Sequence, residues 1–221
     1  MRSSVTRGVL GILRPAVGPA VAVLHLASVA AGGGDRPRTP ESAGSRTGKT
    51  VLRHGGHVYV VVPRPETWTR AARLARQAGG RLAIIDSADE NRFLFTRLTA
   101  LGIATRAPDG GGAVYVWLGA SDAEKEGDWK WVDGRRLADG YTRWGKGPLG
   151  KEPDNFRGRQ DYLALGLTGW PAGRPGGLGS PSQWNDLDGE NHLAWVVEFD
   201  DPTRDTNADG VPDWKTFAAS P

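Results

Sequence analysis

At 221 residues the chain has room for one domain of ordinary size with tails. It contains no cysteine, which excludes disulfides, thiolate-held zinc, iron–sulfur clusters and a thiol nucleophile. The net charge of +3 is uneven: residues 1–56 hold eight Lys/Arg against two Asp/Glu (+6), and residues 57–221 hold twenty against twenty-three (−3). The basic excess belongs to the leader, so nucleic acid is not the expected partner.

Arg2 and Arg7 precede an apolar stretch from Ala16 to Ala31, whose Ser28-Val29-Ala30-Ala31 end offers small residues of the kind a signal peptidase cuts. Pro15, Gly18, Pro19 and His25 interrupt the stretch, and it falls short of the ~20 residues a membrane span needs. Residues 1–31 therefore read as a signal peptide, with the mature chain secreted, periplasmic or on the cell surface and without a span. Export without cysteine suits a bacterial source. Residues 32–52 read as a disordered linker, 53–200 as the folded domain and 201–221 as a tail.

His57 to Val62 reads as a strand. Trp68, Ala71, Ala72, Ala75 and Ala78 then share one face of a helix that stops at Gly79-Gly80. Leu82 to Ile85 makes a short strand. Ser87 followed by Glu90 has the pattern of a capping box, opening a second helix with a stripe of Leu94, Leu98 and Leu101. Beyond it come short strands between Gly-rich loops: Tyr115 to Leu118, Trp129 to Val132, Tyr162 to Leu167 and Ala194 to Phe199. Two helices early and many strands late indicate an α+β fold.

The segments VWLGASD (from Val116), GDWKWVDG (Gly127 to Gly134), EPDN (Glu152 to Asn155) and WND (Trp184 to Asp186) stand in the order seen in C-type lectin-like domains, and the chain resembles that family from His57 to Asp200. The resemblance implies the C-type lectin-like fold, with two helices packed on short antiparallel strands beside a long loop region. It also implies two disulfide positions, occupied here by Ala75 with Val197 and by Tyr162 with Gly189. Apolar contact between helix and closing strand would replace the first, and a ring over a bare glycine the second. The stretch from Gly169 to Gln183 lengthens the loop before WND.

Glu152, Asp154, Asn155, Gln160 and Asp161 make one oxygen-rich loop, and Asn185 with Asp186 another. Oxygen donors without His or Cys suit a hard cation, Ca²⁺ above Mg²⁺, although a solvated acidic loop has the same composition. The resemblance places Glu152, Asp154, Gln160, Asn185 and Asp186 at a sugar-linked calcium site, with a cis peptide before Pro153. It places Asp122, Glu126, Asn155, Gln160 and Asp161 at an auxiliary one. The mannose-type pattern would carry an amide at Asp154 and an acid at Gln160, so the acceptors and donors that read a sugar diol are rearranged. In the tail, Asp205, Asn207, Asp209 and Asp213, with Gly210, resemble a thrombospondin type 3 calcium loop; a polar turn is the alternative.

Trp117, Trp129, Trp131, Trp144 and Trp195 are expected in the core. Of Trp170 and Trp184, which flank the long loop, Trp170 is the better candidate for an exposed platform on a sugar face. No GxSxG, P-loop or HExxH pattern occurs, and catalysis is not expected. The reading is thus a calcium-dependent module for carbohydrate or glycoconjugate, the alternative being a protein-binding or adhesion module in which calcium only orders loops.

Overall fold

The computed structural model describes residues 48–221, so the expected signal peptide and most of the linker lie outside the described residues. Strand β1 (Thr50–His54) pairs with β2 (His57–Glu66) through a tight glycine turn, which starts the fold at residue 50, within the expected linker. Helix α1 (Trp68–Gln77) is capped by Thr67 and buries Ala71, Ala72 and Ala75. After β3 (Arg81–Leu82), Ser87 caps α2 (Ala88–Ala100), accepting the Glu90 N–H at 3.1 Å. The Glu90 carboxylate reaches back to the Asp86 N–H at 2.8 Å, one residue before the cap. Leu94 and Leu98 are fully buried, but Leu101, expected in the same stripe, is the exposed C-cap.

The rest of the chain supplies β4 (Tyr115–Ser121), β5 (Lys130–Trp131), the small ribbon β6 (Lys146–Gly147) with β7 (Gly150–Lys151), then β8 (Tyr162–Gly166), β9 (Trp184–Leu187) and β10 (Leu193–Phe199). The main sheet runs β1-β2-β10-β4-β8-β9, with β3 on β10 and β5 on β4. Closing strand β10 is antiparallel to β2 and parallel to β4, so it holds the two halves of the sheet together. All seven of its residues are buried, as expected of a strand covered on both faces.

Both expected substitutes for disulfides are in place. Ala75 and Val197 are fully buried in one apolar cluster. At Gly189 a Cβ would sit 2.4 Å from the Tyr162 ring, so only glycine admits that ring, which also packs on Trp68 at 4.8 Å between centroids.

The segment after Asp200, expected to be a tail, is part of the domain. It ends in α3 (Asp213–Ala219), whose Trp214, Phe217 and Ala218 pack on the core beside Trp195 and Phe199. The Lys49 ammonium fastens the helix end, donating to the carbonyls of Phe217 (3.0 Å) and Ser220 (2.8 Å). Among the described residues no helix is long and apolar enough to cross a membrane.

Candidate functional site

The loop after β7 turns through a cis Glu152-Pro153 peptide and a left-handed Asn155, which aim Glu152 and Asp154 toward β9. There Asp186, 1% exposed, receives the backbone N–H groups of Asp154 (3.3 Å) and Asn155 (2.7 Å). Ligand oxygens of Glu152, Asp154 and Asp186 lie within 4.8 Å of one another. Such crowding, with Glu152 and Asp186 buried and Asp154 exposed, disfavours ionisation of the buried pair. Burial first, then the charges of Asp154 and Asp186, push Glu152 up to about 8, and burial pushes Asp186 up to about 6.

Glu152 is 5% exposed, and its two oxygens differ. Oε1 accepts the Trp170 indole N–H at 2.7 Å, whereas Oε2 is buried with no hydrogen-bond partner. An orphan oxygen among carboxylates is what a hard cation would satisfy, so the donor set fits calcium. Asn185 lines the same cavity, of about 220 Å³. Its amide nitrogen donates to the Tyr115 hydroxyl at 3.0 Å, so the carbonyl oxygen is the atom Asn185 could offer to a cation.

Gln160 also lines that cavity, but its amide is engaged by protein. Its oxygen accepts the Phe156 N–H at 2.7 Å, and its nitrogen donates to the Asp109 carboxylate at 3.1 Å. Asp109 in turn accepts the Asp188 N–H (2.8 Å) and the Asn191 amide (2.6 Å), tying three loops together. Sequence reasoning passed over Asp109; a lone acid ahead of the Gly110-Gly111-Gly112 run was the available signal.

Trp170 is not a platform. It is 1% exposed, packs on Tyr115 at 5.6 Å, and lies so close to Gly179 that a Cβ there would meet the indole at 2.1 Å. The long loop folds back around this ring, pairing Trp170 with Gly179. Trp184 is likewise fully buried. The exposed aromatic at the cavity is Phe156, 47% exposed between the left-handed Asn155 and Arg157. An apolar residue in an otherwise polar loop was its signal.

The auxiliary residues are neighbours, but among the described residues Asp122, Glu126 and Asp161 do not converge as the Glu152, Asp154 and Asp186 carboxylates do. Asp122, 2% exposed, accepts the Gly127 N–H through Oδ2 at 2.8 Å, while Oδ1 is buried without a partner. Its backbone N–H bonds the Asp161 carbonyl at 3.1 Å, and Asn155 bonds Glu126. Burial, with the charges of Glu126 and Asp161, raises Asp122 to about 6. In the C-terminal segment Asp205 accepts the Gly210 N–H at 2.7 Å, and Asp209 receives the Asn207 amide at 3.0 Å. Asp213 instead turns both oxygens to Thr206. A further acidic group, His57 with Glu198 and Asp200, is bridged by the Arg81 guanidinium, whose charge offsets one of the two carboxylates.

Residues 64–199 match the Lectin C-type domain family. The chain belongs to that family. It is 30% identical over 116 residues to C-type lectin domain family 4 member M of Hylobates lar, covering 52% of this chain and 25% of that protein. It is 27% identical over 148 residues to C-type lectin domain family 10 member A of Rattus norvegicus, covering 67% of this chain and 40% of that protein. The lectin domain thus spans less than half the length of these relatives. Among solved structures, the mouse scavenger receptor C-type lectin carbohydrate-recognition domain superposes with a TM-score of 0.51 at 21% identity, over 68% of this chain and 95% of that one. Human lithostathine superposes with a TM-score of 0.51 at 19% identity, over 73% and 98%. These two likenesses show the C-type lectin fold, an α+β architecture.

Proposed function

We propose that this C-type lectin domain is an exported carbohydrate-binding module that holds calcium at Glu152, Asp154, Asn185 and Asp186. The observation that carries the reading is the buried, partnerless Glu152 Oε2 beside two further carboxylates. Bound calcium would offset two of the three carboxylate charges and leave coordination positions open to vicinal hydroxyls of a sugar. Phe156, rather than Trp170, offers an apolar ring to the face of that sugar. Asp122, with Glu126, Asn155 and Asp161, would hold a second ion that braces the same loop. Binding to a glycan array that disappears in EDTA supports the reading; binding indifferent to EDTA contradicts it.

A second reading is favoured by one specific feature. Glu152 Oε1 and the Gln160 amide, two groups suited to meeting sugar hydroxyls, are already bonded to Trp170 and Asp109. On that reading calcium orders the loops and the partner is a protein. An array on which calcium-loaded protein binds no glycan would favour it.

A further inference from the structure

A second concavity, of about 650 Å³, shares no lining residue with the calcium cavity. It lies between α1, β2, β10 and α3. Its apolar surface is Leu74, Ala78 and Phe217, laid over the buried Val62 and Trp195, with the Trp195 and Phe217 rings 6.0 Å apart. The Trp195 indole N–H is satisfied by the Arg64 carbonyl at 3.1 Å, and the ring, 2% exposed, backs the floor from beneath, while the Lys49 ammonium stands 4.3 Å from the centre of the Phe217 ring. The size is that of a small-molecule site.

The ionisable residues around it are five cations, Lys49, Arg64, Arg70, Arg76 and Arg204, and two acids, Glu66 and Asp213. This local excess sits on a body, residues 48–221, whose own net charge is −1, with 22 Lys/Arg against 23 Asp/Glu. Glu66 is engaged by Arg70 at 2.8 Å and is 4.0 Å from Arg64; Asp213 accepts from Thr206 and lies 3.8 Å from Arg204. Arg76 is in no ion pair among the described residues, and the Arg64 side chain is 77% exposed. The cleft therefore pairs a hydrocarbon floor with cationic groups not fully matched by the protein.

We propose that this cleft binds a single-chain anionic amphiphile, a fatty acid whose alkyl chain lies along Leu74, Ala78 and Phe217 and whose carboxylate meets Arg64 and Arg76. A saccharide or a peptide backbone laid on the same floor would leave hydroxyls or amides unpaired there, whereas an alkyl chain leaves none. The ligand needs no calcium, and the inference does not rest on the lectin reading.

The test is calorimetric titration of the full chain in EDTA with octanoate, decanoate and dodecanoate, each below its micellar concentration. Each added methylene is expected to tighten binding about three- to fourfold, roughly a hundredfold from octanoate to dodecanoate. The Arg64→Glu/Arg76→Glu variant changes only exposed side chains. It should weaken dodecanoate at least tenfold and leave dodecanol, the neutral chain of equal length, unchanged. Three results would overturn the proposal: no dodecanoate binding, affinity that ignores chain length, or a charge-reversed variant that binds dodecanoate as the parent does.

Discussion

The Trp170 indole N–H donates to Glu152 Oε1 at 2.7 Å, and this bond leaves Oε2 as the glutamate's unpaired oxygen at the acidic cluster. A hydrogen bond to a charged group is worth about 1.5–3 kcal/mol. Trp170→Phe keeps a buried ring but frees Glu152 to turn. Calcium affinity should fall by at least tenfold, and calorimetric titration against the parent, with thermal unfolding in EDTA as control, checks it. Equal affinities would mean that Trp170 merely fills space.

A second prediction concerns Asp109. Gln160→Glu, half of the exchange that would recreate a mannose-type ligand set, sets a carboxylate where the Asp109 oxygen now accepts an amide hydrogen at 3.1 Å. Without a cation between them, the pair should lower unfolding free energy by about 1–3 kcal/mol. Asp109→Asn in the same chain should recover much of this, because an amide can donate to the new carboxylate. Mannose affinity should accordingly rise only when Asp154→Asn, Gln160→Glu and Asp109→Asn are combined, as titration at saturating calcium would read.

The glycine beneath the Tyr162 ring gives a third. Gly189→Ala drives a methyl into the Tyr162 ring and should cost about 1–3 kcal/mol in urea unfolding. In a Tyr162→Ala background the same change should cost far less, since the two sites share one space. Additive losses would place the strain elsewhere.

The pH dependence has a defined sign. Glu152 rises from 4.5 to about 8 and Asp186 from 3.8 to about 6, so the folded, calcium-free protein holds protons that the unfolded chain releases. Their contribution is complete below the ordinary carboxylate range and is lost as pH climbs toward 8. The melting temperature in EDTA should fall between pH 5 and pH 8. Added calcium should raise it most at pH 8, where the carboxylates are free of protons. A calcium increment larger at pH 5 would contradict the assignment.

What the sequence made legible was local. Thr67 and Ser87 announce their helices, β-branched runs announce β2 and β10, and EPDN with WND announces the acidic cluster. The errors came from contacts across long separations. Trp170 stands in a Gly- and Pro-rich stretch that reads as exposed, yet Gly145, Gly166 and Gly179 leave the space in which its ring is buried. Whether Gln160 faces an ion or Asp109, 51 residues away, is likewise not encoded in spacing. Helix α3 was legible and overlooked: Trp214, Phe217 and Ala218 follow Pro212 at helical intervals.

The account turns on the ion at Glu152, Asp154, Asn185 and Asp186. Isothermal titration of Ca²⁺ into the full chain, and into Glu152→Gln/Asp186→Asn, tests this most directly. These substitutions remove two charges and little volume, so the variant should stay folded in EDTA. The account predicts saturable binding to the parent and loss of at least one equivalent in the variant. No heat of binding in the parent, or the same stoichiometry and affinity in both proteins, would contradict it.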